Sequence, residues 1–156
     1  MKKSIRVFGI FVLLLSTVTL LSSCKKDISD LPGTWEAVEA TINGEEVKNL
    51  KDIWTLNADG TCTIECDIEK YTDNYIQGVV TFPGTYVTDD DFNLNIKSAK
   101  FYVWDDDYYD EISFDVEILA MTKKMLMVFG KFKYNRHEGV ITTSKTAEAT
   151  ITFARK

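Results

Sequence analysis

Alternation of apolar and polar residues recurs in short segments from about residue 33 to the end of the chain. Every second residue is apolar in "TCTIECDI" at 61–68, in "EISFDVEILA" at 111–120 and in "EATITFA" at 148–154. A period of two is typical of β-strands that bury one face. Turn sequences such as "NADG" at 57–60 and "DDD" at 89–91 separate the segments, so the pattern predicts consecutive hairpins.

About eight or nine such strands with almost no helical pattern indicate an all-β fold. A sandwich and a barrel both fit this spacing. The connections are short, which favours an antiparallel up-and-down β-barrel of about eight strands, and closure of the barrel would remove exposed edges. Polar composition predicts loops at 70–77 and 133–145, and one helical turn is predicted within 47–52.

The first residues form a different pattern. Lys2, Lys3 and Arg6 precede an uncharged apolar run at 7–21, and two small serines follow it. That order is typical of a secretory signal peptide, which predicts an N-terminal helix before the barrel. The run is about 15 residues long, and a membrane-spanning helix needs about 20. We therefore divide the chain into a signal peptide at 1–23, a linker at 24–30 and a barrel domain at 31–156.

The end of the signal peptide resembles a bacterial lipobox. Leu21, Ser22, Ser23 and Cys24 match its Leu-small-small-Cys pattern at every position. The resemblance implies that the Cys24 thiol carries a diacylglyceryl group, that the chain is cut before this cysteine and that the new amino group is acylated with a fatty acid such as palmitate. Several acyl chains anchor a protein stably, whereas one binds only marginally. Cys24 with Lys26 and Asp27 is similar to a surface-export signal of outer-membrane lipoproteins. We expect attachment to the outer membrane, facing either the periplasm or the cell surface.

The opening "LPGTWEAVEA" resembles the Gly-x-Trp motif of lipocalins, and the basic residue in "TFARK" resembles the arginine on their last strand. Gly33, Trp35 and Arg155 match those positions. The resemblance implies a lipocalin-like barrel in which Trp35 packs under the barrel floor and Arg155 lies across its ring, a contact that cation–π attraction favours. It spans about residues 31–156, and the chain lacks the C-terminal helix of larger lipocalins.

The charge of the chain argues against one class of partner, and the spacing of its cysteines argues against a disulfide. The 133 residues after position 23 contain 24 acidic and 15 basic residues, a formal charge of −9. That balance argues against nucleic acid as a partner. Cys62 and Cys66 fall on one strand face about 13 Å apart, too far for a disulfide between Cα atoms that must lie within about 7 Å. We predict two buried free thiols.

No catalytic or metal-binding constellation is recognisable in the sequence. His137 is the only histidine, and no Cys-x-x-Cys motif occurs. We therefore expect no enzyme activity, no cofactor and no metal. The acidic stretch "WDDDYYDE" at 104–111 has three interpretations: a solvated hairpin tip, a calcium site, or an aromatic rim that contacts a sugar or a partner.

Apolar residues on the predicted inner faces would line any ligand cavity. This candidate set comprises Phe82, Tyr86, Phe101, Phe114, Val116, Met125, Met127 and Phe129. Small barrels either fill their interior with side chains or hold one small ligand. A hollow barrel predicts binding of a small apolar or amphipathic ligand. A filled barrel predicts a non-enzymatic interaction module whose loops bind a protein or glycan. The sequence leaves the oligomeric state open.

Overall fold

The computed structural model describes residues 27–73, 76–102 and 108–156, and of residues 101, 102 and 108 it describes the backbone alone. The predicted signal-peptide helix, the lipobox and Cys24 lie outside these residues. A short 3-10 helix, Ile28–Asp30, leads into the first strand. The strands are β1 Gly33–Ile42, β2 Glu45–Val47, β3 Ile53–Leu56, β4 Thr61–Asp67, β5 Val79–Thr88, β6 Asn93–Ser98, β7 Phe101–Tyr102, β8 Tyr108–Met121, β9 Met125–Glu138 and β10 Ile141–Arg155, and helix α1 is Ile68–Tyr71.

Within the described residues, eight antiparallel strands close into a barrel in the order β1-β3-β4-β5-β6-β8-β9-β10, with β10 pairing back to β1. The short β2 lies beside β1, and β7 lies beside β8. Neighbouring barrel strands follow each other in the chain apart from these two short strands. The predicted all-β, up-and-down barrel of about eight strands is confirmed.

The predicted loop at 133–145 and the predicted helical turn within 47–52 are wrong, whereas the predicted loop at 70–77 is largely confirmed. The segment 133–145 continues β9 and begins β10, and the turn between them contains Gly139 at φ 57°. These strand ends extend beyond the shorter strands of the barrel, so neither of their faces is uniformly apolar. The first two residues of 70–77 end α1, and its other described residues form neither helix nor strand. The segment 47–52 contains no helical turn, because Val47 ends β2 and 48–52 is irregular.

Bulges change which residues face the core. In β1 the register shifts between Ala37 and Glu39, so Trp35 and Ala40 are both buried while Val38 is 58% exposed. A bulge places two residues opposite one and reverses the alternation beyond it. Strict alternation over residues 33–42 would place Trp35 and Glu39 on one face, and the bulge prevents this.

Two glycines allow strands to approach closely at bends of the barrel. A Cβ on Gly84 would lie 2.3 Å from the carbonyl oxygen of Lys97, and a Cβ on Gly130 would lie 2.2 Å from that of Asp115. Backbone atoms at these distances cannot move aside like a flexible side chain. Any other residue at Gly84 or Gly130 would therefore push neighbouring strands apart.

The end of the barrel where the chain enters, here called the floor, is closed by Trp35. Its ring is fully buried, and its indole N–H donates to the Leu31 carbonyl at 2.8 Å. The guanidinium carbon of Arg155 lies 5.0 Å from the centroid of the Trp35 ring. Arg155 also donates to the carbonyls of Asp30 and Pro32. The arginine thus joins the last strand to the segment that precedes β1.

Candidate functional site

Aromatic rings in mutual contact fill the middle of the barrel. The ring centroid of Trp54 lies 4.9 Å from that of Phe114 and 4.5 Å from that of Phe153. Phe132 lies 5.2 Å from Phe114 and 4.4 Å from Tyr71. All five side chains are at most 1% exposed. Separations of 4.4–5.2 Å are those of rings in direct contact, so no ligand fits between them in this arrangement.

The predicted cavity residues divide into an inner and an outer set. Phe82, Phe114 and Val116 face inward, as predicted, and are buried in the packed core. Tyr86 is only half-buried, and its hydroxyl donates to the Asn57 carbonyl at 2.6 Å. The side chain of Phe101 lies outside the described residues. The inward members of the set therefore belong to the packed core.

Met125, Met127 and Phe129 could line a cavity only if their shared face of β9 pointed into the barrel, and the structure shows that it does not. The inner face of β9 belongs to the alternate residues, among them Leu126 and Val128, which are fully buried, whereas Phe129 is 38% exposed. The stretch "MLMVF" is apolar on both faces, so a period of two does not reveal which face points inward. The three side chains lie on the outer wall of the barrel.

Helix α1 covers the end of the barrel opposite the floor, here called the distal end, and it inserts Tyr71 into the core. The Tyr71 hydroxyl donates to Oδ2 of Asp52 at 2.5 Å, and the Asp67 backbone N–H donates to Oδ1 of the same carboxyl at 2.9 Å. Asp52 is completely buried. Sequence reasoning missed this pair, because nothing in the polar segment 70–77 indicates that Tyr71, its second residue, is buried.

Burial determines the ionisation of this carboxyl. Removal from water raises the pKa of Asp52 from 3.8 to about 7, against the lowering effect of its two hydrogen bonds. Burial likewise raises the pKa of Tyr71 and of Cys66. Asp52 therefore ties α1 to the barrel in a manner that depends on pH near neutrality.

Cys62 and Cys66 are both buried and both free, which confirms the prediction of two unpaired thiols. Burial raises the pKa of Cys62 to about 11. A thiol with so high a pKa is protonated at neutral pH and is a poor nucleophile. The two cysteines act as apolar core residues.

Polar side-chain contacts, one of them an ion pair, hold together the distal ends of β8 and β9. Arg136 donates through Nε and Nη2 to the two carboxylate oxygens of Asp110 at 3.0 and 3.1 Å, and Asp110 is only 3% exposed. His137 Nε2 lies 3.1 Å from a Glu111 carboxylate oxygen, and its ring stacks on Tyr109 at 4.3 Å between centroids. The last two acids of the stretch 104–111 are thus structural, and residues 104–107 lie outside the described residues.

An open cleft of about 550 Å³ lies on the outer wall, between the turn after β2 and the outer faces of β1, β9 and β10. Its wall includes Met127, one of the three β9 residues that lie on the outer face of the barrel. Met127 lies opposite Thr152 in the β9–β10 pairing. The other apolar contributors are Val38, Ala40 and Val47, and the rim is polar, with Glu39, Glu46, Lys48 and Asn49.

No family model, curated protein or solved structure matches the chain. In the part of the chain that the structure describes, no helix combines the length and apolar character needed to cross a membrane. The same residues contain no cluster of three or more His, Cys, Asp or Glu side chains able to hold a metal ion.

Proposed function

We propose that this protein is a lipid-anchored, non-enzymatic interaction module of the cell envelope, with a lipocalin-like barrel that binds a partner protein through its distal end. The observation that carries the proposal is the filled interior: five aromatic side chains, each at most 1% exposed, occupy the space that a ligand would need. Binding would therefore use the outer surface of the barrel.

The position of the anchor favours the distal end as the binding surface. The described chain enters the barrel at the floor, where Asp30 and Pro32 accept hydrogen bonds from Arg155. Lipidated Cys24 would lie only a few residues before this point, so the floor would face the membrane. The 15 residues of β10 span roughly 50 Å when extended, which would hold the distal end well away from the lipid.

Exposed apolar residues at the distal tip support the same surface. Val140 is fully exposed and Ile141 is 61% exposed in the turn between β9 and β10. The Asp110–Arg136 ion pair and the contact between Glu111 and His137 stiffen the strands that carry this turn. A rigid hairpin with an apolar tip loses little conformational freedom on binding, which favours affinity.

The binding surface is tested by crosslinking in cells with the full chain. A photoreactive amino acid at Val140 would report on the distal end, and one at Lys123, an exposed residue of a floor turn, would be the control. We expect one reproducible protein adduct from Val140 and none of that mass from Lys123. Equal adducts from both positions, or none from Val140, would contradict the proposed surface.

The anchor is tested separately. Cys24→Ala should abolish labelling by radioactive fatty acid and leave either an uncleaved precursor in the membrane or a soluble product. Cys62→Ala is the matched control, since it removes a cysteine from the buried core and leaves the lipobox unchanged. Normal fatty-acid incorporation by Cys24→Ala would refute lipid attachment at this residue.

A second candidate function is binding of a small apolar ligand at the outer-wall cleft. The cleft volume of about 550 Å³ favours it, because ligand sites fall in the range of roughly 300–1,000 Å³. Met127→Lys would place a charge in the cleft wall without entering the core. Loss of ligand binding in Met127→Lys, together with unchanged crosslinking from Val140, would support this function over partner binding at the distal end.

A further inference from the structure

The distal half of β10 has a neighbouring strand on only one side. β10 pairs with β9 from Ile141 to Ala154 without a register shift, but it pairs with β1 only from Ala149 onward. Among the described residues, no strand lies beside 141–147 on the side away from β9. These seven residues form an exposed sheet edge at the distal end, which we call the open edge.

Hydrogen bonds at either end of the β1–β10 pairing show which backbone groups face this edge. The N–H of Lys156 donates to the Thr34 carbonyl at 2.9 Å, and the carbonyl of Glu148 accepts from the Asn43 N–H at 2.8 Å. The even-numbered residues of β10 thus direct their backbone groups toward β1. Arg155, an odd-numbered residue, donates to Lys124 on the β9 side.

The same alternation continues through the open edge. Antiparallel strands alternate between pairs that exchange backbone hydrogen bonds and pairs that do not, and side chains lie closer in the second kind. Ser144 Oγ donates to Asn135 Oδ1 at 2.7 Å, and Thr142 Oγ1 lies 3.1 Å from His137 Nδ1. Both contacts are those of pairs without mutual backbone bonds to β9. Thr142, Ser144 and Thr146 therefore direct their N–H and C=O groups outward.

Asn43 marks where the edge begins. Its side-chain oxygen accepts from the Glu148 N–H at 3.0 Å, in the place of a further strand residue. Its φ of 51° and that of Gly44, 84°, turn the chain away into β2. The structure satisfies the backbone of Glu148 and leaves the next even-numbered residues, all of them exposed, without such a partner among the described residues.

The sequence of the open edge suits an added strand. The segment "ITTSKTA" has no proline, is rich in β-branched residues and carries one charge. Exposed edges are commonly protected by proline, bulges or several charges, and unprotected edges accept extended peptides through main-chain hydrogen bonds. Three outward donor–acceptor pairs would fix a strand of about seven residues.

Charge next to Asn43 indicates the polarity of the incoming strand. A cleft of about 320 Å³ there is bordered by Glu45, Glu46, Glu69 and Asp73, against the single cation Lys70 of its lining. A strand antiparallel to β10 would run in the direction of β1 and begin beside this cleft. Basic residues at its amino-terminal end would therefore face the acidic border.

We propose that the open edge of β10 receives an extended segment of a partner protein as an added antiparallel strand, with basic residues at the amino-terminal end of that segment. The proposal rests on the proposed function, since it names the partner chemistry of the distal end. Backbone bonds would supply the affinity, and the border of Glu45, Glu46, Glu69 and Asp73 would select the orientation.

The test uses the full mature protein in detergent micelles and amide resonances in NMR spectra. The probe is the peptide Lys-Lys-Thr-Val-Thr-Val-Thr, and the same composition with both lysines at the carboxyl end is the control peptide. We expect saturable binding of the probe, protection of the Thr142, Ser144 and Thr146 amides from exchange, and binding of the control peptide at least about threefold weaker.

Ser144→Pro removes the central outward N–H and spares every backbone bond to β9, and Ser144→Ala, like the proline variant, lacks the side-chain bond to Asn135. It should weaken binding about tenfold or more, the effect of about 1.4 kcal/mol, whereas Ser144→Ala should stay within about threefold. Thr142→Pro provides a second variant if Ser144→Pro does not fold by circular dichroism. Equal binding by Ser144→Pro and Ser144→Ala, or no saturable binding at millimolar peptide, would overturn strand addition.

Two further outcomes separate the inference from its premise. A concentration-dependent dimer that Ser144→Pro abolishes would show that a second copy occupies the edge, and the proposal would be wrong. Crosslinking from Val140 that persists unchanged in Ser144→Pro would also refute strand addition, while the distal binding surface would stand. Loss of the Val140 adduct in Ser144→Pro but not in Ser144→Ala would support both strand addition at the open edge and partner binding at the distal end.

Discussion

Replacement of Asp52 by asparagine should change how stability depends on pH. The folded protein raises the pKa of Asp52 from 3.8 to about 7 because the carboxyl is removed from water. The folded state therefore holds a proton that the unfolded state releases between pH 4 and pH 7. By linkage, the contribution of Asp52 to the free energy of unfolding is complete below its pKa in the unfolded state. This contribution is lost as the pH rises toward its pKa in the folded state.

The size of the change in the free energy of unfolding follows from the pKa shift of Asp52. A difference of about three pKa units corresponds to about 4 kcal/mol, at 1.36 kcal/mol per unit. Other carboxyls also titrate in this range, so the wild-type curve alone does not isolate the contribution of Asp52. Asp52→Asn removes one titrating group, and its altered hydrogen bond to Tyr71 adds only an offset that does not vary with pH. The difference between the two curves measures Asp52.

The assay is urea unfolding at intervals from pH 4 to pH 8, followed by tryptophan fluorescence, for wild type and Asp52→Asn. We expect the free energy of unfolding of the wild type to fall relative to the variant by about 4 kcal/mol between pH 4 and pH 7. Asp59→Asn is the matched control, since Asp59 is exposed on a floor turn. Parallel wild-type and Asp52→Asn curves, within about 1 kcal/mol, would refute the buried, protonated carboxyl.

Three other changes have defined outcomes. Trp35→Ala should lower the free energy of unfolding by about 3–5 kcal/mol, measured by urea unfolding, and a loss under about 1 kcal/mol would mean that the ring does not close the floor. Phe129→Ser on the outer wall should cost less than about 1 kcal/mol, whereas Phe132→Ala should cost about 3–5 kcal/mol; the reverse order would restore the sequence-based face assignment. A thiol reagent should modify Cys62 and Cys66 in the unreduced, denatured protein and neither in the folded protein, and unmodified cysteines after denaturation would indicate a disulfide.

Strand order and the buried face of several strands could be predicted from the sequence. Ile112, Phe114 and Ile118 alternate with polar residues, and Ala149 with Ile151 does the same on β10; all are buried as expected. In such segments one face is polar, so the period of two also identifies the inner side. The hairpin turns at 57–60 and 89–92 have the side-chain chemistry that the structure uses, with Asp59 and Asp89 accepting backbone N–H bonds.

The buried face of a strand could not be predicted where both faces are apolar or where a bulge interrupts the alternation. β9 begins with apolar residues on both faces, so Met127 and Val128 could not be distinguished. The bulge at Val38 shifted the face of β1. The strand ends around Asn135 and Ser144 are polar at most positions, with the buried Tyr134 as an exception, and so resemble loops in composition.

The Asp52–Tyr71 pair depends on contacts between residues 19 positions apart, which no local pattern reveals. The open edge of β10 is of the same kind, because it depends on where β1 ends at Asn43 and not on the sequence of β10. The features proposed to carry function are therefore products of topology. From the sequence alone only the barrel fold could be predicted, together with the hypothesis of a lipid anchor at Cys24.

A crystal structure of the mature protein under xenon pressure would test the filled barrel most directly. Xenon occupies apolar cavities that are empty of water, and Phe114→Ala provides a matched control with a cavity made beside Trp54 and Phe132. The account predicts xenon inside the barrel of Phe114→Ala and none among these rings in the wild type. Xenon density among the rings of the wild type would show a hollow barrel and return the function to ligand binding.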